Sequence, residues 1–500
     1  MPACSGCRIS KPSGPVRATC AADLSRRALL SGLLAAPAVL KAAPALVEAP
    51  AGRFRGTAEG GVRAFRGIRY GRAARFRAPV AEPPIRGIQP ADRFAPSAPQ
   101  RGSIAPQSED CLFLNIWTPA ADGARRPVLV YFHGGAYSTG TVAEPRVAGA
   151  ALAARDCVVV TVNHRLNALG YLALPGFPDA ANAGQLDLIL ALQWVQANIA
   201  AFGGNPANVT LFGQSGGGAK IITLMSMPAA RGLFRRGWTM SGQQVTVQGP
   251  QNAARRAQAY LAALGGDPLT LPVERLVAAL DTVDPILGGG LYFGPVLDMA
   301  AVPRHPFFPA ADPAALSVPL VLGNTVAETR AFFPPDHRLR QGLDWENLPA
   351  RLGPELRVDI DPVWVIAQFR AREPAITADQ LFIRATTASR SWRGQVIEAE
   401  ERAKTSTPAF VYQLDWRDAA HMDDIPLVFG TTADPADFPV RDAMMAALLR
   451  FARTGDPGWP PYRLPRRATM IFDSESRATD NPRAFERELF ARVPYIQPGS

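Results

Sequence analysis

Val209-Thr210-Leu211-Phe212-Gly213-Gln214-Ser215-Gly216-Gly217-Gly218 runs an apolar, β-favouring segment into a Gly-x-Ser-x-Gly pentapeptide and then into residues that continue as a helix. Glycines on either side of Ser215 remove the Cβ atoms that would hold strand and helix apart. The pattern predicts a sharp, strained strand–turn–helix corner that lifts the Ser215 hydroxyl above a sheet. A pentapeptide alone is weak, but a second stretch upstream, Val128-Leu129-Val130-Tyr131-Phe132-His133-Gly134-Gly135-Ala136-Tyr137, is another buried strand ending in a glycine-rich turn. Together the two corners supply what acyl transfer requires: a hydroxyl nucleophile and backbone N–H donors free to meet an oxyanion.

Such a nucleophile needs a base and an acid, which follow it in the chain order serine, acid, histidine. Of five histidines, His421 fits best. It follows the strand Ala409–Leu414 and lies in the polar turn Arg417–Asp424, whereas His337 sits beside prolines among charged residues. His164, after a buried strand, reads as a packed residue. The acid is expected just beyond a buried strand between Ser215 and His421. Val318–Gly323 is the clearest such run and Glu328 follows it, with Asp298 and Asp336 left open on this reading.

Strand-like runs at Pro127–Phe132, Cys157–Asn163, Val209–Phe212, Pro319–Leu322 and Ala409–Leu414 alternate with helical patterns. They predict an α/β fold, with a mostly parallel sheet covered on both faces. A helix from about Gln185 to Ala201 is apolar over more than half its circumference, as a helix packed on a sheet should be. Phe54–Tyr70 reads as an N-terminal antiparallel meander. Helix-like insertions at about Gly249–Leu291 and Pro334–Ala403 are expected to wall a gorge. With 47% apolar residues and no internal repeat, residues 46–500 read as one catalytic domain.

The ordered motifs resemble the type-B carboxylesterases, the family of bacterial para-nitrobenzyl-type esterases, liver carboxylesterases and cholinesterases. Phe65–Tyr70 is similar to F-x-G-I-P-Y, and Ser108–Trp117 to S-E-D-C-L-Y-L-N. Asn163–Gly170 is similar to N-Y-R-L-x-x-x-G, and Phe202–Pro206 to the turn before the elbow. Gly323–Glu328 matches G-x-x-x-D-E, and His421–Phe429 matches H-x-x-E-[IL]-P-F-V-F. The resemblance implies an α/β-hydrolase fold, with Ser215, Glu328 and His421 as nucleophile, acid and base. It implies the N–H groups of Gly135, Ala136 and Gly216 as the oxyanion hole, and no cofactor or metal. It also implies acyl and alcohol pockets lined partly by the insertions, with Gln214, Phe332, Phe333 and Trp392 as pocket candidates.

Three departures stand out. Ala136 replaces a frequent third glycine but keeps its N–H, and this Gly-Gly-Ala-x pattern resembles that of esterases accepting tertiary alcohols. Gln214 replaces a glutamate, which predicts less electrostatic help for the imidazolium and little attraction for choline-like alcohols. Ala327 replaces the aspartate before the acid. The cysteine that pairs with the equivalent of Cys111 in secreted animal relatives is missing, so Cys111 and Cys157 are expected as separate buried thiols.

Ser25-Arg26-Arg27-Ala28-Leu29-Leu30 opens an uncharged, mostly apolar stretch to Leu40. As a helix it would span about 20 Å at ~1.5 Å per residue, short of a ~30 Å bilayer core. Residues 1–45 therefore read as an export leader of twin-arginine type, not an anchor, giving a periplasmic or secreted protein. The Cys4/Cys7 pair in it reads as incidental. Six Lys and Arg against one Asp in those residues account for half of the net charge of +10. The body's surface is then ordinary, with no basic run that would take nucleic acid. The expected protein is a monomer or weak homo-oligomer. It hydrolyses small to medium, neutral or apolar carboxylic esters through an acyl-enzyme. Carbamates, lactones or thioesters are the alternatives, and a non-catalytic binding protein the remote one.

Overall fold

The computed structural model describes residues 45–104 and 106–497; the leader reading, with Cys4, Cys7 and Cys20, lies outside them. Eleven strands make the central sheet. In chain order they are β1 Thr57–Glu59, β2 Val62–Arg69, β3 Phe113–Thr118, β4 Arg126–Phe132, β5 Val158–Val162, β6 Gly204–Gln214, β7 Arg236–Met240, β8 Leu320–Thr325, β9 Ala409–Leu414, β10 Ala468–Phe472 and β11 Arg477–Asp480. Their spatial order is β11-β10-β9-β8-β7-β6-β4-β5-β3-β2-β1. The run from β10 to β5 is parallel, and the remaining pairs at either end are antiparallel.

Buried side chains alternate faces along these strands. Val128, Val130 and Phe132 of β4 join one core with Leu188, Leu192 and Val195 of helix α1 (Ala183–Asn198). Leu129 and Tyr131 join the other with Met444, Leu448 and Phe451 of the helix Phe438–Thr454. Both faces of the parallel block are thus covered, which is why β5 can read Val-Val-Val-Thr-Val with every residue buried.

All five strands expected from aliphatic runs lie in the parallel block. Strand β7 was not legible, because Arg-Gly-Trp-Thr-Met has no aliphatic run. The N-terminal stretch is antiparallel but is shared between two sheets. Gly52–Arg55 pairs with Leu46–Ala49, while β1 and β2 add to the central sheet. The switch occurs at Gly56, where a Cβ would meet the Phe65 ring at 2.7 Å. The insertions are helical at Pro250–Leu264, Val273–Ala278, Pro362–Arg372, Ala378–Thr386 and Arg393–Ala403, with a π-helical turn at Thr387–Trp392. The second insertion builds its own core around Leu352, Phe369 and Phe382. Cys111 and Cys157 are both free and buried, and burial pushes both thiols up, that of Cys157 to about 12.

Candidate active site

The sheet's carboxyl edge gathers the expected residues. Strand β5 crosses to one side of β4 and β6 returns to the other, so the loops after β4 and β6 meet at a switch in strand order, where open α/β sheets bind ligands.

Ser215 follows β6 directly and precedes helix α2 (Gly216–Met225), with φ +54° and ψ −124°. That backbone is strained for a residue with a side chain, and its surroundings hold it there. The Ser215 N–H donates to the Met240 carbonyl at 2.7 Å, and the Ser215 carbonyl accepts from Ala219 at 3.1 Å. Close packing explains the glycines: a Cβ on Gly213 would lie 2.6 Å from the Gly217 carbonyl carbon, and one on Gly217 would run into the Phe132 carbonyl oxygen.

The loop after β4 turns through three consecutive positive φ values, Gly135 +90°, Ala136 +48° and Tyr137 +65°. It is pinned by Ser138 and Thr139 N–H groups donating to the Gly135 carbonyl. Ala136 lies against the elbow, since a Cβ on Gly216 would sit 2.8 Å from the Ala136 nitrogen. The Ala136 nitrogen therefore lies beside Gly216, next to Ser215, and Ala136 but not Gly135 lines the cavity that Ser215 enters.

Glu328 begins the turn after β8 and is fully buried. Its Oε2 lies 2.5 Å from His421 Nδ1, and its Oε1 accepts from Thr325 N–H at 2.7 Å and from the Ser241 hydroxyl. Burial alone would raise this carboxyl, but the His421 ring and these donors hold it below the ordinary carboxylate range. Asp298 is engaged elsewhere, accepting from Asn182, and Asp336 lies exposed in a loop. The loop carrying His421 springs from β9, and its Nε2 lies 3.2 Å from the Gln214 side-chain nitrogen. No hydrogen bond joins Ser215 Oγ to His421 in this structure. Gln214 is a neighbour of the imidazole, buried beneath it.

Ser215, Ala136 and His421 line a cavity of about 410 Å³ with Ser241, Gln243, Gly288–Gly290 and Tyr292. Phe332 also lines it, its ring centroid 4.8 Å from that of His421. Phe333 and Trp392 do not. Phe333 turns into the insertion's core against Phe382, and Trp392 lies under Arg483 beside a different cavity. Phe332 caps the helical turn after Glu328, where neighbouring side chains splay by roughly 100°, so Phe332 faces the gorge and Phe333 the insertion's core.

Sequence reasoning missed Ser241, which follows the unrecognised β7, and Lys220, fully buried on α2. Lys220 Nζ donates to the His133 carbonyl at 3.0 Å and lies 5.1 Å over the Tyr137 ring, beneath the loop that carries Gly135 and Ala136. Burial lowers its amine to about 7. His133 and His164 stack at 4.7 Å, both buried and held below the ordinary imidazole range by burial and then by Lys220. Glu109 pairs with Arg75 and Asp110 with Arg69, which gives both acids structural contacts.

Comparisons with known proteins agree with this arrangement. Residues 43–484 match the carboxylesterase family. The chain is 33% identical to the para-nitrobenzyl esterase of Bacillus subtilis (strain 168), over 89% of this chain and 98% of that protein. It is 28% identical to the liver carboxylesterase of Sus scrofa, over 71% of this chain and 72% of that one. A crystal structure of a Geobacillus stearothermophilus carboxylesterase superposes with a TM-score of 0.79 at 35% identity, covering 89% of this chain and 99% of that one. The α/β-hydrolase sheet, the elbow and a match across most of the chain lead to one conclusion: this chain is a member of the carboxylesterase family, a serine ester hydrolase.

Proposed function

We propose that Ser215, His421 and Glu328 carry out ester hydrolysis with the N–H groups of Gly135, Ala136 and Gly216 as oxyanion donors. The observation behind this reading is the buried 2.5 Å contact between His421 Nδ1 and Glu328 Oε2 at the wall of the cavity that Ser215 enters. Glu328 fixes the tautomer that leaves Nε2 as the acceptor and stabilises the imidazolium that forms. As the ester enters, Ser215 Oγ replaces the Gln214 amide at Nε2. Catalytic hydrogen bonds are often long in the free enzyme and tighten in the loaded one. Oγ then attacks the carbonyl carbon, Nε2 takes the hydroxyl proton, and the oxyanion meets the amides of the two corners. His421 returns the proton to the leaving alcohol, activates water, and the acyl-enzyme is released as the acid.

The substrates are small to medium neutral or apolar esters, supported by the 410 Å³ gorge with Phe332 on its wall and by kinship with a para-nitrobenzyl esterase. A stopped-flow burst of para-nitrophenolate from para-nitrophenyl butyrate tests the reading. One equivalent per enzyme is expected, and none from Ser215→Ala. A burst retained in that variant would remove Ser215 from the chemistry.

We further propose export as a monomer or weak homo-oligomer through the twin-arginine route, supported by Arg26-Arg27 before the apolar stretch. Among the described residues no helix is long and apolar enough to cross a membrane. N-terminal sequencing of the mature protein should begin at Leu46; a start at Met1 would contradict export processing.

A further inference from the structure

The wall of the cavity that holds the nucleophile is cationic in a way that the hydrolysis of neutral esters does not use. Arg357 lines the same cavity as Ser215 and His421. No carboxylate among the described residues lies within ion-pair distance of it, and its Nε is buried with no hydrogen-bond partner. Its backbone is held at φ +57°, with the Arg357 carbonyl accepting from Ile496 N–H at 3.1 Å. A guanidinium fixed by a strained backbone, with its Nε buried and no carboxylate beside it, is placed to receive an incoming anion.

A second guanidinium stands beside it. Arg390 projects into the cavity from the π-helical turn and packs over the Phe332 ring at 5.7 Å. It has one carboxylate partner, Glu355. Burial, then the neighbouring charge of Arg357, press the Arg390 guanidinium below its ordinary range. Negative charge that could neutralise the pair from across the cavity is already engaged. Asp284 is bound by Arg256 Nε at 2.7 Å and by the N–H groups of Ile286, Leu287 and Tyr292. Glu328 is committed to His421, and Gln214 brings no charge. With Glu355 paired to Arg390, Arg357 leaves the gorge one positive charge in excess.

We propose that Arg357, supported by Arg390, forms an anion subsite, and that beside neutral esters the enzyme also takes esters carrying a carboxylate in addition to the ester being cleaved. Half-esters of dicarboxylic acids and acyl esters of hydroxybenzoates are the chemical class that fits. A guanidinium fork accepts a carboxylate through two parallel N–H···O bonds, and within a partly dry gorge such a pair is stronger than on an open surface. The inference rests on Ser215 being the nucleophile of that same cavity.

The test compares kcat/KM within two matched pairs: 4-butyryloxybenzoate against its methyl ester, and monomethyl adipate against dimethyl adipate. In the wild type the charged-to-neutral ratio is expected to fall at least fivefold between 20 mM and 500 mM NaCl in at least one pair, as the Debye length shortens from about 20 Å to about 4 Å. Arg357→Gln should lower that ratio at least tenfold, and Arg357→Lys, which keeps the charge but not the fork, should retain only part of it. Ratios that change less than about twofold with salt and with Arg357→Gln in both pairs would overturn the subsite. If Arg357→Gln does not fold, the salt dependence of the wild type decides alone. Neutral members turned over by the wild type and lost in Ser215→Ala show that the catalytic reading stands while the subsite is judged. Neutral members turned over equally by Ser215→Ala would sink the catalytic reading instead.

Discussion

Lys220 offers a prediction whose sign and size both follow from the structure. Its amine is fully buried on the helix behind the nucleophile, with one hydrogen bond to the His133 carbonyl and no carboxylate in ion-pair range among the described residues. Burial lowers it from 10.5 to about 7. The unfolded chain, where the amine keeps its ordinary value, therefore binds more protons between those two pH values. Folding stability must rise with pH through that window. At ~1.36 kcal/mol per pH unit the whole effect is roughly 5 kcal/mol, present in full below pH ~7 and gone above pH ~10.5. Lys220→Met keeps the volume and removes the charge, so the variant lacks this slope. It does leave the His133 carbonyl unpaired, a cost of about 1–3 kcal/mol that does not vary with pH. Between about pH 7.5 and 9.5 the wild type should gain roughly 2–3 kcal/mol relative to the variant. With ~2.1 cal/mol/K per residue over about 450 residues, that is a relative rise of roughly 2–3 °C in Tm. Calorimetry of both proteins at half-unit pH steps measures it. A Tm difference that stays constant, or one that moves in favour of the variant as pH rises, would refute a buried, unpaired ammonium at this position.

Three further outcomes are expected. Glu328→Gln should leave the fold in place and lower kcat by roughly 10³–10⁴-fold, since an amide does not fix the same imidazole tautomer; a loss under tenfold in steady-state assays would remove Glu328 from the dyad. Gln214→Glu places a carboxylate against His421 Nε2, so the acidic limb of kcat/KM should move to higher pH and choline esters should become better substrates. An unchanged pH–rate profile and unchanged choline-ester turnover would contradict that. Gly217→Ala forces a Cβ into the Phe132 carbonyl, whereas Gly249→Ala meets open space. The first should cost 1–3 kcal/mol or more and reduce soluble yield, as about that much attends overpacking, and the second should be neutral by thermal melt.

How legible this enzyme was depends on whether chemistry was written locally. The elbow was readable because strand, glycine spacing and helix are contiguous, and the glycines at 213 and 217 answer a steric demand that no other residue meets. Glu328 and His421 followed from chain order after two buried strands. The gorge was not readable, because its wall comes from Asp284–Tyr292, Arg357 and the π-helical turn, segments with no shared pattern. Phe332 and Phe333 are chemically identical in sequence, and only the local turn decides that one faces His421 while the other fills a core. Lys220 reads in sequence as a surface helix residue; that its helix is buried on every side follows from the sheet and loops around it. Gln214 was noticed as a missing charge, but its contact with Nε2 depends on the angle of the elbow.

Intact-protein mass spectrometry after fluorophosphonate treatment, with peptide mapping, tests the central claim most directly. A single adduct on Ser215, absent in Ser215→Ala and formed far more slowly in His421→Ala, is the predicted result. An adduct on another residue, or labelling that persists in Ser215→Ala, would contradict it.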